Sequence, residues 1–235
     1  MQDNDFIQLQ KRISVKFKNQ DLMRQAFVHR SYLNENPSFH LGHNERLEYL
    51  GDAVLELVVT DFLFANFPHA SEGDMTSWRA SLVNSKMLAS IAHELNIEPL
   101  LYLSKGESKD TSSKARNYIL TNAVEALIGA MYLDRGYKTA EKFIKKCILV
   151  QLPNILAKRL DVDPKSKFQE LAQEKMHVTP RYDVLEEKGP DHAKLFRVGV
   201  FLGDELVASG NGSSKQEAQM DAARKGLEAK GWQEE

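Results

Sequence analysis

The chain has 235 residues, of which 31 are Lys or Arg and 33 are Asp or Glu, so its formal net charge is −2. The whole-chain balance gives no sign of a polyanionic partner, which would have to bind at a local basic patch. The single cysteine, Cys147, excludes an internal disulfide framework and is typical of a reducing compartment. The first ten residues do not resemble a secretory signal, and no apolar stretch is long enough to span a bilayer. We therefore expect a cytoplasmic protein with no membrane partner.

The chain begins with a helical pattern, in which apolar residues recur three and four positions apart up to about residue 156. Four polar stretches interrupt this pattern, at residues 34–38, 66–74, 96–99 and 104–113. The last of them is predicted to be a loop. This pattern predicts an all-α domain over residues 1–157, followed by a linker at residues 158–163.

The pattern changes after the linker. A helix is predicted to begin with Pro164 in its first turn. Three strands are predicted to follow, at residues 181–187, 194–203 and 205–210, and apolar residues alternate in the second of them. Gly203 lies in the turn between the second and third strands, and an Ala-rich helix then ends at Gly231. The order α-β-β-β-α predicts an α+β domain over residues 164–233.

The stretch from residue 44 to residue 58 is predicted to be a helix with one acidic face. At about 100° per residue, Glu45, Glu48 and Asp52 fall within about 60° of arc. Arg46 lies about 100° away from Glu45 and is poorly placed to neutralise this face. The opposite face is predicted to be core, and it carries Leu47, Leu50, Val54, Leu57 and Val58.

A second helix, predicted over residues 117–134, places Asn122 and Glu125 on one face, with Gly129 nearby to allow close approach of another backbone. Packed side by side, the two helices would bring this pair to Glu48 and Asp52. Oxygen ligands of this kind suit Mg²⁺ or Mn²⁺. The spacing alone fits a solvated acidic face equally well, and the lack of basic partners favours a metal site only slightly.

Five segments of the chain resemble known families. Three of them resemble bacterial ribonuclease III in the same order, namely "HNERLEYLGDAVLELVV" (43–59), "EGDMTSWRASLVNSKMLA" (72–89) and "NAVEALIGAMYLD" (122–134). The other two resemble a double-stranded RNA-binding domain, namely "GPDHAKLF" (189–196) and "GNGSSKQEAQMDAA" (210–223). The resemblance covers almost the whole chain. It implies a multidomain protein, with an all-α endonuclease domain followed by an α+β double-stranded RNA-binding domain.

The resemblance also implies a function. Members of this family are homodimeric endoribonucleases that cleave double-stranded RNA by metal-assisted hydrolysis, leaving 5′-phosphate and 3′-hydroxyl ends. Mg²⁺ is the expected cofactor, with Mn²⁺ able to substitute, and no small-molecule cofactor is expected. Processing of ribosomal RNA precursors is the expected role, with messenger and transfer RNA precursors as further substrates.

The family motif places Glu48, Asp52, Asn122 and Glu125 at metal-ligand positions, and it implies that Asp52 and Glu125 are indispensable to catalysis. One departure is Asn122, because the family often has Asp there. An amide can still offer its carbonyl oxygen to a metal ion, but it brings no charge.

Other residues take supporting roles by the same resemblance. Glu45 and Glu72 match acidic positions that line the same cleft. Tyr49 falls where the family usually has a Phe that inserts into the other subunit. His29 could be read as a catalytic base, but we interpret it as structural, holding the helix that carries Tyr49 through hydrogen bonds.

Three residues of the second domain are predicted to contact RNA. Gln169 on the first helix and His192 in the loop between two strands are expected to reach successive minor grooves of an A-form duplex. Lys215, at the start of the last helix, is expected to face phosphates. Gly210 and Gly212 are interpreted as turn residues.

Two other functions compete with the nuclease. A non-catalytic double-stranded RNA-binding or ribosome-associated protein could use the same fold, and Asn122 is the one sign of lost acids. Retention of Glu48, Asp52 and Glu125 argues against it. A metal-dependent phosphatase of small molecules would leave the second domain without a purpose.

Overall fold

The computed structural model describes residues 2–109, 113–157, 164–190 and 194–232. The chain divides into two compact units, Met1–Asp161 and Val162–Glu235. The predicted linker at residues 158–163 lies outside the described residues, so the domain boundaries stay a prediction.

The first unit, called the nuclease unit below, is helical in its described residues. Its α-helices are α1 (Gln2–Ile13), α2 (Gln20–Gln25), α3 (Arg30–Glu35), α4 (Glu45–Asn66), α5 (Glu72–Val83), α6 (Ser85–Glu94), α7 (Lys105–Lys109), α8 (Ser113–Arg135), α9 (Tyr137–Cys147) and α10 (Leu152–Ala157). Short 3₁₀ turns occur at Glu98–Leu100 and Leu149–Gln151. Within the described residues, no helix is long and apolar enough to cross a membrane.

Residues 105–109 form α7, so the predicted loop over residues 104–113 is wrong for that part. Two polar groups satisfy the start of this helix. The Ser104 hydroxyl accepts a hydrogen bond from the backbone N–H of Glu107 at 3.2 Å, and the carboxylate of Glu35 accepts one from the N–H of Lys105 at 3.1 Å. The second partner is 70 residues away in sequence, and a local reading of composition has no access to it.

The centre of the nuclease unit is the crossing of α4 and α8, where the two backbones touch at a pair of glycines. A Cβ atom added to Gly51 would lie 1.7 Å from the backbone oxygen of Glu125. A Cβ atom added to Gly129 would lie 2.2 Å from the backbone oxygen of Leu47. Only glycine at both positions permits this approach. The crossing therefore sets the distance between the acidic faces of the two helices.

The apolar face of α4 packs into the core as predicted, with one exception. Leu47, Val54 and Val58 are buried, whereas Leu57 is 57 % exposed. The prediction that Leu57 belongs to the core is therefore wrong. At about 100° per residue Leu57 lies at the border of the buried arc, where the pattern alone does not decide burial.

The second unit, called the RNA-binding unit below, has the predicted order α-β-β-β-α. Its elements are α11 (Pro164–Met176), β1 (Arg181–Lys188), β2 (Leu195–Leu202), β3 (Glu205–Gly212) and α12 (Lys215–Ala229). The strands form an antiparallel sheet in the order β1-β2-β3. Gly203, in the β2–β3 turn, has φ +60°, the left-handed conformation that favours glycine. Phe168 of α11 and Val200 of β2 are fully buried between the sheet and the helices. The predicted fold class is confirmed.

Gly210 and Gly212 lie in β3, and the interpretation that they are turn residues is wrong. A Cβ atom at Gly210 would lie 2.1 Å from the backbone nitrogen of Ala222, and one at Gly212 would lie 2.5 Å from that of Ala218. These glycines allow β3 to approach the backbone of α12 directly.

Replacement of Gly51 by Ala should destabilise the nuclease unit by at least about 3 kcal/mol, because the new methyl group would meet the backbone of α8 rather than a movable side chain. Thermal unfolding followed by circular dichroism measures this loss. Gly73→Ala is the matched control, since a Cβ there meets only Ser71 Oγ at 3.7 Å. Equal melting temperatures for the two variants would contradict the glycine crossing.

Candidate active site

The register of the acidic helix α4 is fixed at its first residues by Asn44. The side chain of Asn44 is buried, and its amide donates a hydrogen bond to the backbone oxygen of Ala26 at 3.1 Å. Its own backbone N–H donates to the oxygen of Val28 at 2.9 Å. Its backbone oxygen accepts the N–H of Glu48 at 2.9 Å, which begins the helix. Our sequence analysis missed this positioning residue. An Asn before an acidic first turn predicts a helix start, but the Asn44 side chain bonds to Ala26 and does not cap α4, a contact that the sequence does not reveal.

Acidic residues of α4 and α8 meet beside the glycine crossing. Burial, followed by the negative charges of Asp52 and Glu48, raises the pKa of Glu125 from 4.5 to about 8. Burial, followed by the charges of Glu45 and Asp52, also raises the pKa of Glu48. We call Glu45, Glu48, Asp52 and Glu125 the acid cluster. The structure therefore brings together four of the predicted site residues, on two helices.

Little positive charge reaches the acid cluster. Glu45 lies 3.4 Å from Nη1 of Arg30 and 3.6 Å from Nδ1 of His43. Within residues 2–109 and 113–157, no ion pair reaches the other three carboxylates. Like charges this close are stable only if one carboxyl keeps its proton or a cation binds.

Asn122 and Glu72 are placed differently. Asn122 is half-buried on α8, one turn before Glu125 and on the same face. Glu72 is exposed at the first position of α5, where it accepts a hydrogen bond from the Thr76 hydroxyl at 3.1 Å. It lines a small cavity of about 140 Å³ with Phe64. Its predicted supporting role in the cleft stays a prediction.

The donor set fits a hard divalent cation, because carboxylate and amide oxygens are the ligands that Mg²⁺ and Mn²⁺ prefer. In the described parts of the chain, no three His, Cys, Asp or Glu side chains are already arranged to hold a metal ion. Binding would therefore require rotation of the acid-cluster side chains on their fixed helices. Burial is the main cause of the raised pKa of Glu125, and the negative charges of Asp52 and Glu48 contribute to it, so a bound cation would favour the ionised form of this carboxyl.

His29 has a structural role, as interpreted, but at another helix. Its Nδ1 accepts the backbone N–H of Ser31 at 3.3 Å and lies 2.8 Å from the Ser31 hydroxyl, so it caps α3. The expectation that it holds α4 is wrong. The α4 helix is held instead by Asn44.

The predicted RNA contacts of the second unit are partly described. Gln169 is exposed on α11. Lys215 is the exposed first residue of α12, and its Nζ lies 5.7 Å from the centre of the Phe196 ring. His192 lies outside the described residues.

Comparison with known proteins identifies the family. The Ribonuclease-III-like family model matches residues 19–152, and the double-stranded RNA binding motif matches residues 164–230. Ribonuclease 3 of Carboxydothermus hydrogenoformans is 42% identical over 228 residues, which cover 97% of each chain. The chain belongs to the ribonuclease III family. Ribonuclease 3 of Bacillus velezensis is 43% identical over 222 residues, covering 94% of this chain and 88% of the relative.

The fold of the nuclease unit agrees with the family. A solved structure of the nuclease domain of ribonuclease III from Campylobacter jejuni superposes with a TM-score of 0.55 at 36% identity, covering 62% of this chain and 97% of that one. As a member of this family with an RNA-binding motif, the protein is an endoribonuclease specific for double-stranded RNA. Metal dependence and roles in RNA processing are typical of the family.

The raised pKa of Glu125 predicts a pH dependence of stability in EDTA. Its folded value of about 8 exceeds the ordinary value of 4.5, so the folded state binds more protons than the unfolded state between these pH values. This contribution to stability is present at low pH and is lost as the pH rises towards about 8. Glu125→Gln should therefore melt higher than the wild type at pH 8 and about equally at pH 4.5. Thermal melts across this range measure the difference. The surface control Glu94→Gln should follow the wild type, and a similar rise for it would contradict the assignment.

Proposed function

We propose that this ribonuclease III hydrolyses the phosphodiester bonds of duplex RNA at the acid cluster, leaving 5′-phosphate and 3′-hydroxyl ends. The single observation that carries this proposal is the backbone contact of α4 with α8 at Gly51 and Gly129. It places carboxylates of both helices close together, and burial with the charges of Asp52 and Glu48 raises the pKa of Glu125 there. If these acidic residues had only a structural role, we would expect Lys or Arg side chains to neutralise them or water to solvate them fully.

The residues that would hold a divalent cation are Glu48, Asp52, Asn122 and Glu125. Mg²⁺ is the proposed ion, with Mn²⁺ able to substitute, and no small-molecule cofactor is required. A divalent cation bound there would polarise the phosphodiester and lower the pKa of a bound water. The donor chemistry and the shared face of Asn122 and Glu125 on α8 support this assignment.

Asp52 and Glu125 are the proposed indispensable residues. Glu125 is partly buried at the crossing of α4 and α8, so its backbone position is fixed. Asp52 is more exposed and follows Gly51 directly, at the same crossing. One carboxylate is thus presented by each helix, and their separation depends on packing of backbone against backbone.

A non-catalytic RNA-binding role remains the competing function. An RNA-binding protein without catalysis would not require the acid cluster. Carboxylates without basic partners lower the stability of the folded state at neutral pH, so their presence favours a site that binds a cation. The uncharged Asn122 is the feature that favours it. Three carboxylates at the site favour hydrolysis.

In the RNA-binding unit, Gln169, His192 and Lys215 are the proposed contacts with the duplex. The Phe196 ring beside Lys215 limits the directions that the ammonium group can take, which supports a fixed contact with phosphate. Ribosomal RNA precursors are the proposed substrates, with messenger and transfer RNA precursors as others. The proposed location is the cytoplasm.

A homodimer is proposed on the exposed side of α4. Tyr49, Leu57 and Phe64 are 83%, 57% and 74% exposed, and we call them the α4 stripe. At about 100° per residue they lie within about 80° of arc. Three large apolar side chains on one helix face are typical of an interface. The nuclease domain of the Campylobacter jejuni relative has structural flexibility in a region involved in its own dimer formation.

Glu125→Gln should reduce cleavage of a long RNA duplex by at least about 10³-fold, while duplex binding changes less than about twofold. Gel assays with Mg²⁺ and with EDTA measure cleavage, and filter binding in EDTA measures affinity. Glu94→Gln is the control and should cut normally. Normal cleavage by Glu125→Gln would refute the proposed site.

Asn122→Asp should shift half-activation to a lower Mg²⁺ concentration. The added charge attracts the cation by on the order of a few kcal/mol at an effective dielectric of about 20, before desolvation and repulsion from the neighbouring carboxylates. Cleavage rate against Mg²⁺ concentration, with calorimetry of Mg²⁺ binding, gives the shift. Identical curves would mean that Asn122 does not contact the metal.

Phe64→Asp should convert the dimer to a monomer at micromolar concentration, because it places a charge within the α4 stripe. Sedimentation velocity measures the oligomeric state. Val150→Asp is the control, since Val150 is 59% exposed and lies outside α4. A wild-type protein that sediments only as a monomer would refute the proposed interface.

A further inference from the structure

A groove of about 600 Å³ lies in the nuclease unit between α1 and α2. Ile7 and Gln10 line it along α1, Ser14 follows the end of that helix, and Gln20 and Arg24 line it along α2. The two α1 residues are three positions apart and the two α2 residues four apart, so each pair lies on one face of its helix. From Ile7 to the end of α1 at Ile13, the helical wall extends about 9 Å.

The lining of the groove is largely apolar, and hydrogen bonds hold its two walls in place. Phe6 and Val15 line it and are almost fully buried, while Ile7 is 50% exposed. The two glutamines satisfy each other, because Gln10 Nε2 donates to Gln20 Oε1 at 3.1 Å. The remaining amide groups bond to the backbone of Phe17, at 2.8 Å to its N–H and 2.7 Å to its oxygen. These hydrogen bonds tie the two walls together and leave the groove ready to accept apolar groups.

The charges at the rim have one sign. Among the described residues, every charged side chain that lines the groove is cationic, namely Lys11, Lys16 and Arg24. Arg24 lies 3.2 Å from Asp21, so its charge is partly offset. The two lysines are exposed, and one lies on α1 and the other in the segment that follows it. A ligand with carboxylates along its edges would therefore complement this rim.

We propose that the groove binds an amphipathic, acidic helical segment of a protein partner. Its apolar side chains, about four residues apart, would enter between α1 and α2, and its Asp or Glu residues would face Lys11 and Lys16. The exposed Ile7, with Gln10 and Lys11 beside it on α1, gives the side chains of such a helix a surface to pack against. This binding site goes beyond RNA cleavage.

An RNA ligand fits the groove less well. A duplex presents phosphates and riboses, which leave an apolar groove unfilled. A single strand would need exposed aromatic faces for stacking, yet Phe6, the aromatic residue that lines the groove, is only 3% exposed. The Ribonuclease-III-like family model begins at residue 19, so α1 and both lysines lie outside the matched segment. We therefore expect the groove to act independently of cleavage.

The test uses the full-length chain and a fluorescent 18-residue model peptide with Leu at every third or fourth position and Glu on both flanks. Two control peptides carry Lys in place of Glu, or Ser in place of Leu. Only the acidic Leu peptide should bind, as measured by fluorescence anisotropy. The double variant Lys11→Glu with Lys16→Glu should weaken binding about tenfold or more, since two weak attractions become repulsions.

A matched variant, Lys138→Glu with Lys142→Glu, reverses two exposed charges on α9 that do not line the groove, and it should bind the peptide within about twofold of the wild type. Hydrogen exchange should show protection by the peptide at residues 5–24. Both variants should cleave duplex RNA at the wild-type rate, so failure of this proposal is distinguishable from failure of the proposed active site.

Several results would overturn the proposal. These are no binding of the acidic Leu peptide at millimolar concentration, equal losses in the two lysine variants, or protection confined to other segments. Reduced affinity of the Lys11→Glu, Lys16→Glu variant for duplex RNA would assign the groove to RNA instead. Binding of dodecyl phosphate where the peptide does not bind would assign it to a small anionic amphiphile.

Discussion

The packing of the nuclease unit and the position of the acid cluster depend on the direct contact of two helix backbones at Gly51 and Gly129. No side chain separates α4 from α8 at this point, so the helices approach as closely as their backbones allow. A carboxylate next to either glycine is therefore brought close to the other helix. The core packs around this crossing, with Leu47, Val54 and Val124 buried beside it. The position of the acid cluster is thus a consequence of packing and needs no attraction between the acids.

That arrangement works against electrostatics. Burial and the mutual repulsion of the acids raise the pKa values of Glu48 and Glu125, and the nearest basic side chains, Arg30 and His43, reach only Glu45. The free energy that holds the acids together comes from apolar burial along α4 and α8. Such a site is unstable by itself and becomes favourable when positive charge binds, which is the usual condition of a site built for a divalent cation.

Much of this could be predicted from the sequence, because helical periodicity assigns residues to faces. It placed Glu48 and Asp52 on one face and identified Gly129 as a point of close approach. Contacts distant in sequence were missed, as for α7, whose first turn is completed by Glu35. The interpretation of Gly210 and Gly212 was wrong because a single sequence does not distinguish a glycine in a turn from a glycine in a strand that packs closely against a helix. The spacing of the acids did not distinguish a metal site from a solvated face; family resemblance supplied that assignment.

The anchoring of Asn44 has a consequence for which changes of length the fold can accept. Its bonds to Ala26 and Val28 define where α4 begins, independently of the connection at residues 36–43, in which Phe39 packs against Tyr32 and Tyr102. An insertion in that connection leaves the helix in place. A deletion of one residue between Asn44 and Glu48 would turn the rest of α4 by about 100° and carry its carboxylates away from α8. Variation in loop length among related chains should therefore occur before Asn44, because the distance in sequence from this residue sets the direction of each carboxylate along α4.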